Sequence, residues 1–459
     1  MIKSIKWKDD QILKDLVLDF SKATNTNDCY KTIIFVGENG TGKTTILSSI
    51  YEVLQANKLK GGVSEIIYKT DEHLVTQYRN EDSKEEIVNE TGEHYGVKFP
   101  PSFPFQKNMK TFLPGKDGVC FTSAKTGFQN LSLDDSNSNK LDEKAISNDA
   151  HFQLQNLTNL FVELKHQDDT YIADKFRDNE PIDSNREEIK ASLNLTRFSA
   201  SFSTFFKGEL EYDNTNENDR YVYFKKGDTK IRLQELSSGE QQIVFRGTYL
   251  LRDIKKTLNG TVLIDEPEVS LHPRWQKEIL TYYQNLFKVN GEQKSQIFIA
   301  THSPFIIEAA LKDKENTLII VLKNNNGKVS AINLDQSNFV LPTPTLAEIN
   351  YEAFNIASKD YHNELYSYLQ DLIGLESVGK TDKFILELPT ITEVLKCETH
   401  HPTNIRIKYH TLPTKIRNHI DHPNNTYNFN DAELILSTKF LRDICRNQKS
   451  KNKLMVAEK

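Results

Sequence analysis

Residues 37–44 of this 459-residue chain, GENGTGKT, match the phosphate-binding loop pattern G-x-x-x-x-G-K-[ST] in full. The apolar run Thr32–Val36 comes directly before the loop, and a helix-forming segment follows it. This strand–loop–helix order is required by the pattern, because backbone N–H groups of the loop and the positive end of the helix bind phosphate oxygens together. The motif therefore predicts a nucleotide site in an α/β fold. The predicted binding residues are Gly37, Asn39, Gly40, Gly42, Lys43, Thr44 and Thr45.

Two further strand ends carry polar groups suited to nucleotide chemistry. The apolar run 260–264 ends in Asp265 and Glu266, and the run 297–301 ends in His302. In phosphate loops of the pattern matched by residues 37–44, the lysine, here Lys43, reaches the β- and γ-phosphates. The hydroxyl of the following residue, here Thr44, ligates Mg2+. We expect Asp265 to complete the magnesium shell and Glu266 to polarise the attacking water. His302 is expected to contact the γ-phosphate; a structural histidine is the alternative.

Residues 236–240, LSSGE, lie between the phosphate loop and the acidic pair. A serine-rich start of a helix is by itself typical of a helix cap. Together with the loop, the acids and the histidine in this order, it resembles the LSGGQ signature of ATP-binding-cassette (ABC) ATPases. In that family the signature serine and glycine contact the γ-phosphate held by the partner subunit, and the matching positions here are Ser237 and Gly239. The resemblance implies ATP bound between subunits of a homodimer or a higher homo-oligomer.

The segment after the acids indicates a branch of that family. Residues 268–276, EVSLHPRWQ, resemble the E-x-x-L-H-P-x-x-Q segment of the soluble branch that includes RecF, Rad50 and the OLD-type and defence ATPases. Residues 346–366 resemble the C-terminal region of ATPases from bacterial phage-defence operons. Among these the Septu ATPases work with an HNH nuclease, so the resemblance implies a partner nuclease of that type. Trp7 and Gln77 are candidates, without supporting context, for the adenine-stacking residue and for the glutamine that couples the two lobes.

The composition is that of a water-soluble globular protein. Apolar residues make up 37% of the chain and charged residues 27%, and no apolar run approaches the ~18 residues of a membrane span. The four cysteines are scattered without metal-binding spacing, and Met1–Trp7 predicts a strand rather than a signal peptide. We therefore expect a cytoplasmic protein with no membrane contact. The net charge of −6 excludes a globally basic nucleic-acid binder but leaves a local basic patch open.

The motifs divide the chain into four predicted regions. Within the second region, residues 57–235, a strand is predicted at 118–122 and helices are predicted at 151–165 and 185–195. A polar loop is predicted at 133–139. No sustained heptad pattern is present, which favours a compact helical lobe over long coiled-coil arms. The regions are an N-terminal ATPase lobe (1–56), an insertion with a helical lobe (57–235), a C-terminal ATPase lobe (236–340) and a helical partner-binding or effector domain (341–459).

The C-terminal region contains two short patterns found in nucleases. Arg417 and His422 match the R-x4-6-H pattern of HEPN ribonucleases, in which the arginine steadies charge and the histidine handles a proton at an RNA phosphate. Pro423 predicts a helix end at this point, so a helix cap or a docking surface is the alternative. Residues 378–382, VGKTD, match the first TOPRIM nuclease motif incompletely, and no D-x-D follows to complete a two-metal site.

The last sixty residues contain more basic than acidic side chains. Such a run either contacts nucleic acid or forms a solvated end of the chain. The terminal cations are Arg442, Arg446, Lys449, Lys451 and Lys453.

The sequence thus predicts an ABC-type P-loop ATPase of α/β class, with a helical insertion and a small helical C-terminal domain. Our main hypothesis is an ATP- and Mg2+-dependent regulatory subunit of an antiphage complex, which controls a partner HNH nuclease through ATP-dependent dimerisation. One alternative is an ATP-switched, HEPN-like ribonuclease in the chain's own C-terminal domain. Another is a RecF/Rad50-like DNA repair ATPase, against which the acidic balance and the missing heptads count.

Overall fold

The chain divides into two compact units, Met1–Asp335 and Gln336–Lys459. None of the described helices is both long and apolar enough to cross a membrane. The computed structural model describes residues 1–22, 25–70, 73–80, 82, 84–94, 118–123, 150–177, 187, 189–216, 221–252, 259–334, 339–401, 404–422 and 428–457.

The first unit contains both strands and helices. Its strands are β1 (Ile2–Trp7), β2 (Val17–Asp19), β3 (Ser21–Lys22), β4 (Asn25–Cys29), β5 (Thr32–Val36), β6 (Val63–Lys69), β7 (Leu74–Arg79), β8 (Glu85–Asn89), β9 (Val119–Thr122), β10 (Glu211–Asn216), β11 (Tyr221–Lys226), β12 (Thr229–Arg232), β13 (Thr261–Asp265), β14 (Lys288–Val289), β15 (Glu292–Gln293), β16 (Gln296–Thr301), β17 (Thr317–Asn325) and β18 (Lys328–Asn333). Its helices are α1 (Lys43–Ala56), α2 (Ala150–Arg177), α3 (Asn194–Phe205), α4 (Ser238–Leu251), α5 (Pro273–Gln276), α6 (Ile279–Leu286) and α7 (Pro304–Lys312).

A six-stranded sheet in the order β18–β17–β5–β16–β13–β9 forms the centre of this unit. All neighbouring strands run parallel except β17 and β18. Every residue of β5, β13 and β16 is buried, as expected for the middle of a parallel sheet covered on both faces. The carboxyl ends of these three strands lie at one edge, where α/β sheets bind ligands. The predicted α/β class is confirmed.

A second sheet, β2–β1–β6–β7–β8, is antiparallel. Strands β6, β7 and β8 were not predicted from the sequence, because each contains only a short apolar stretch beside polar residues and its burial depends on strand pairing. Trp7 in β1 is completely buried in the core, which excludes it as an adenine-stacking residue. Gln77 in β7 is also buried; it accepts a hydrogen bond from Tyr68 Oη (3.1 Å) and donates one to Glu85, so it is held within this sheet.

The predicted helical lobe consists of α2 and α3 packed on the small sheet β10–β11–β12. Phenylalanine rings fill the space between them: Phe161 meets Phe198 at 5.3 Å between ring centroids, and Phe202 meets Phe224 at 5.4 Å. The strand predicted at 118–122 is confirmed as β9, and the helix predicted at 151–165 is part of α2. The predicted polar loop at 133–139 lies outside the described residues.

The second unit is mainly helical and also contains a β-hairpin. Helices α9 (Lys359–Ile373) and α12 (Asp431–Ala457) pack along each other through Leu365, Leu369, Leu441 and Ile444. Its elements are α8 (Leu346–Phe354), α9 (Lys359–Ile373), α10 (Val378–Leu386), β19 (Lys396–His401), β20 (Asn404–Thr411), α11 (Leu412–Asp421) and α12 (Asp431–Ala457).

Three of the terminal cations have partners inside this unit. Arg442 pairs with the buried Glu352, and Arg446 lies 3.6 Å from the same carboxylate. Lys449 Nζ donates to the carbonyl oxygens of Phe339 (2.9 Å) and Val340 (3.1 Å). A buried carboxylate requires a counter-charge, so the structure favours a structural role for these cations over contact with nucleic acid.

Candidate nucleotide site

The phosphate loop connects β5 to α1, as the sequence predicts. Gly40 and Gly42 have φ angles of 79° and 89°, in the region that favours glycine. A Cβ on Gly42 would lie 2.6 Å from Leu13 Cδ2, so the loop also has no room for a side chain there. Asn39 is exposed at the tip of the loop, whereas Thr45 is half-buried in the first turn of α1. The N-terminus of α1, a helix of 14 residues, therefore faces an open cradle suited to an anion.

Lys43 bends back over this cradle. Its Nζ donates to the carbonyl oxygens of Gly37 (2.8 Å) and Glu38 (3.0 Å), and the residue is only 5% exposed. Burial lowers the pKa of Lys43 to about 8, although Glu266 and Asp265 act in the opposite direction. Among the described residues the ammonium group donates to these two carbonyl oxygens, which the oxygens of a bound phosphate can replace as charged acceptors.

Thr44 and Asp265 are brought into direct contact. The Thr44 hydroxyl donates to Asp265 Oδ2 at 2.9 Å, although the two residues are 221 positions apart in the chain. An alcohol and a carboxylate at this spacing form an all-oxygen donor pair of the type that Mg2+ prefers, with phosphate oxygens and water as further ligands. No group of three or more His, Cys, Asp or Glu side chains in the described parts of the chain has metal-binding geometry. A site with one carboxylate is therefore suited to Mg2+ bound together with a nucleotide.

Glu266 and His302 face each other at the same sheet edge. His302 Nε2 lies 3.3 Å from Glu266 Oε1, and the two side chains are 29% and 31% exposed. Burial and the neighbouring Lys43 lower the pKa of His302, and the two acids only partly oppose this shift. The imidazole is therefore neutral at neutral pH. Glu266 has a φ of 47°, which is unusual for a residue with a side chain.

Glu268 has a role in the site that was not predicted from its sequence pattern. Its Oε1 accepts hydrogen bonds from Thr301 Oγ1 (2.8 Å), His302 N (2.6 Å) and Ser303 N (3.1 Å). Gln276 supports the same loop by accepting a bond from Ser303 Oγ at 2.6 Å. Both residues belong to the E-x-x-L-H-P-x-x-Q pattern, which was the available signal. They hold the histidine loop against the segment that follows the acidic pair.

The signature segment forms the start of α4. Ser237 is its N-cap: Ser237 Oγ accepts from Glu240 N at 3.4 Å, and Glu240 Oε2 accepts from Ser237 N at 2.7 Å. The capping alternative is thus present in the structure, and the contact of Ser237 with a phosphate stays a prediction. Gly239 packs under Trp275, because a Cβ on Gly239 would lie 2.6 Å from that ring.

Comparison with known families defines the class of this site. A family model described as "AAA domain, putative AbiEii toxin, Type IV TA system" matches residues 71–308, more than half of the chain. The chain belongs to this family. The predicted ATPase class is thereby confirmed.

Individual relatives of this AAA-domain protein include a Septu protein and a nuclease. The Septu protein PtuA of Bacillus mycoides is 24% identical over 333 residues, which are 70% of this chain and 40% of that protein. The OLD nuclease of Thermus scotoductus is 27% identical over 113 residues, which are 24% of this chain and 20% of that protein. The chain therefore spans less than half the length of these relatives. The resemblance to Septu ATPases is confirmed.

A solved structure similar to this AAA-domain protein is the SMC head domain from Thermotoga maritima. It has a TM-score of 0.39 and 14% sequence identity, and the match covers 72% of this chain and 98% of that one.

The two C-terminal nuclease patterns lie in ordinary structural contacts. Arg417 in α11 pairs with Asp421 at 2.8 Å, one turn further along the helix. His422 is exposed at the C-cap, where the helix ends as Pro423 predicts. Asp382, the acid of the incomplete TOPRIM motif, is buried and accepts from His410 N at 2.8 Å. The ribonuclease roles of Arg417 and His422 stay a prediction without support from these contacts.

ATP affinity is expected to fall as the pH rises above about 8. ATP binds the ammonium form of Lys43, which predominates below that pKa, so each further pH unit weakens binding by up to about tenfold. The phosphates of ATP are already ionised in this range. The measurement is titration with a fluorescent ATP analogue from about pH 7 to about pH 9.5. In Lys43→Arg the slope is expected to vanish because a guanidinium stays charged; a constant wild-type affinity would contradict the assignment.

Glu268→Ala is expected to destabilise the first unit by about 3 kcal/mol, because it leaves three donors of the histidine loop without an acceptor. Glu268→Gln is the matched control. All three bonds go to one oxygen, which the amide retains, so we expect most of the stability to remain. Urea unfolding of both variants is the measurement. Equal losses in the two variants would mean that the charge of Glu268, rather than its acceptor, holds the loop.

Proposed function

We propose that this chain is a regulatory ATPase of bacterial phage defence, which binds and hydrolyses ATP as a homodimer and controls a partner nuclease. The observation that carries the proposal is the 2.9 Å hydrogen bond between Thr44 and Asp265. It joins the phosphate loop to the acidic strand end, and Glu266 and His302 lie at the same sheet edge. This combination has the parts that phosphoryl transfer to water requires: a phosphate cradle, a magnesium position and a candidate base.

In the proposed reaction the chain supplies positioning and charge. The N–H groups of residues 37–44 and the Lys43 ammonium bind the phosphates and offset the charge of the leaving group. Glu266, about one-third exposed, is placed to accept the proton of the attacking water. His302 is neutral and carries a single N–H, which it can donate either to Glu266 or to a γ-phosphate oxygen without repelling Lys43. Thr44 and Asp265 would hold Mg2+, which would neutralise phosphate charge when bound.

The dimer is proposed from the signature segment. Ser237 and Gly239 lie at the start of α4, a 14-residue helix whose N-terminal N–H groups favour an anion. In the helix cap Ser237 Oγ accepts from Glu240 N, and its hydroxyl also bonds to the Glu240 carboxylate; rotation of the hydroxyl would let it donate to a phosphate oxygen instead. A γ-phosphate bound by one subunit therefore has a second cradle of suitable chemistry on the other. Two such composite sites follow from two-fold symmetry.

The defence role and the nuclease partner are supported by the relatives. Similarity to a Septu protein over 70% of the chain supports a defence ATPase, and the Septu resemblance makes an HNH nuclease the proposed partner. The second unit, residues 336–459, is the proposed docking domain. Pairing of Arg417 with Asp421 favours this role over a ribonuclease centre. A cytoplasmic location is part of the proposal.

The purified chain tests whether this protein hydrolyses ATP and leaves nucleic-acid cleavage to a partner. We expect it to release phosphate from ATP in the presence of Mg2+ and to leave total RNA and plasmid DNA intact. RNA cleavage that is lost in Arg417→Ala would instead make the second unit a ribonuclease. The absence of ATP turnover would contradict the ATPase assignment itself.

A further inference from the structure

Arg246 is a buried cation close to the catalytic turn. It lies within α4, the helix that begins at the signature segment, and is only 1% exposed. Its Nη1 donates to the carbonyl oxygens of Asp265 (3.4 Å) and Glu266 (3.2 Å). The buried hydroxyl of Tyr283 also faces this guanidinium. A charged donor makes stronger hydrogen bonds than a neutral one, so the buried guanidinium holds the carbonyl oxygens of Asp265 and Glu266 firmly.

The turn that Arg246 contacts is a strained one. Glu266 has a φ of 47°, a conformation that side-chain-bearing residues adopt only when the surroundings hold them there. Glu266 N donates to Ala300 O at 2.9 Å, and Glu266 O accepts from Arg246. The turn is thus held on one side by the histidine strand β16 and on the other by the signature helix α4. The direction of the Glu266 carboxylate, which meets His302 at 3.3 Å, depends on both.

The backbone of α4 is in turn tightly packed. Tyr282 Oη in α6 donates to Ile243 O at 3.2 Å, and Gly247 lies so close to Tyr282 that a side chain would clash with the ring. Arg246 lies between these two contacts in the sequence of α4. Tightly packed side chains transmit small movements instead of deforming. A shift of the signature helix would therefore also move the Arg246 guanidinium.

We propose that Arg246 is a positioning residue that couples the signature helix to the catalytic turn. When the phosphate bound by a partner subunit engages the start of α4, Arg246 fixes the carbonyls of Asp265 and Glu266 and thereby aims the Glu266 carboxylate. The inference rests on the proposed function and deepens it. ATP bound by one subunit aligns the Glu266 carboxylate of the other.

The test compares Arg246→Met with Arg197→Met. Arg197 in α3 is a matched buried arginine, 4% exposed, whose Nη1 donates to the Leu286 carbonyl at 2.7 Å, away from the acidic pair. We expect Arg246→Met to lower kcat by about tenfold or more while ATP affinity changes by less than about twofold. ATP-dependent dimerisation, measured by sedimentation, should also be retained. Arg197→Met should lose comparable thermal stability but keep its kcat.

Arg246→Lys is expected to recover part of the lost kcat, because an ammonium group can still donate to one of the two carbonyls. Unchanged kcat in Arg246→Met would overturn the inference while leaving the proposed function intact. A fall in kcat that follows thermal stability equally in the Arg246 and Arg197 variants would do the same. A wild-type chain that binds ATP without hydrolysing it would overturn both.

Discussion

Glu266→Gln is expected to lower ATP turnover by about a hundredfold or more, because the amide cannot accept the proton of the attacking water. The substitution preserves size, and the phosphate loop and Thr44–Asp265 pair are unchanged, so ATP binding should remain. The variant should therefore accumulate ATP-bound dimers. Phosphate release measures the first effect, and sedimentation in ATP and Mg2+ measures the second.

Glu308→Gln is the control for this substitution. Glu308 lies in α7 and pairs with Lys312 one turn away, so its loss removes an acid from the same unit without touching the site. Turnover should stay at the wild-type rate. If Glu266→Gln turned over ATP as fast as Glu308→Gln, the base would have to be another group.

Lys43→Ala is expected to weaken ATP binding by about a hundredfold, which corresponds to the loss of one or two charge-assisted hydrogen bonds. In the described part of the chain the ammonium bonds to the carbonyls of Gly37 and Glu38, so the variant should lose little stability without nucleotide. Titration with a fluorescent ATP analogue gives the affinity. Lys58→Ala, just beyond the end of α1 and exposed, should bind as the wild type does. Equal affinity in both variants would contradict the loop's assigned role.

Local motifs explain why the core of the site could be predicted. The phosphate loop, the acidic pair and His302 each follow a continuous apolar strand, and parallel pairing of β5, β16 and β13 brings the three strand ends together. This follows from the rule that the carboxyl ends of parallel strands share one edge. The position of these residues at one edge of the sheet could therefore be predicted from the sequence.

The supporting residues could not be predicted in the same way. Glu268 acts through three groups of the histidine loop, and Arg246 acts through carbonyls of another strand, so both roles depend on contacts between distant segments. Trp7 shows the opposite error: an aromatic residue near the N-terminus is available in sequence but completely buried in the structure. Burial and partner identity arise from tertiary packing, which no local pattern determines.

The C-terminal unit shows that a short motif does not by itself establish a site. The pattern formed by Arg417 and His422 needs only two residues, and the structure pairs the arginine with Asp421 within the same helix. Arg442 likewise looks available to nucleic acid in the sequence but neutralises the buried Glu352. In both cases a nearby carboxylate gives the cation a structural partner.

The central claim is that each ATP lies between the phosphate loop of one subunit and the signature segment of the other. Mixing two inactive variants tests it most directly. Lys43→Ala disables the loop, and Ser237→Asp keeps a good helix cap while placing a negative charge where the partner's phosphate should lie. A mixed dimer has both defects in one site and an intact second site.

We predict that each variant alone lacks ATPase activity and that an equal mixture recovers up to about a quarter of the wild-type rate, since half of the dimers are mixed and each has one intact site. A mixture as inactive as its components would contradict composite sites between subunits.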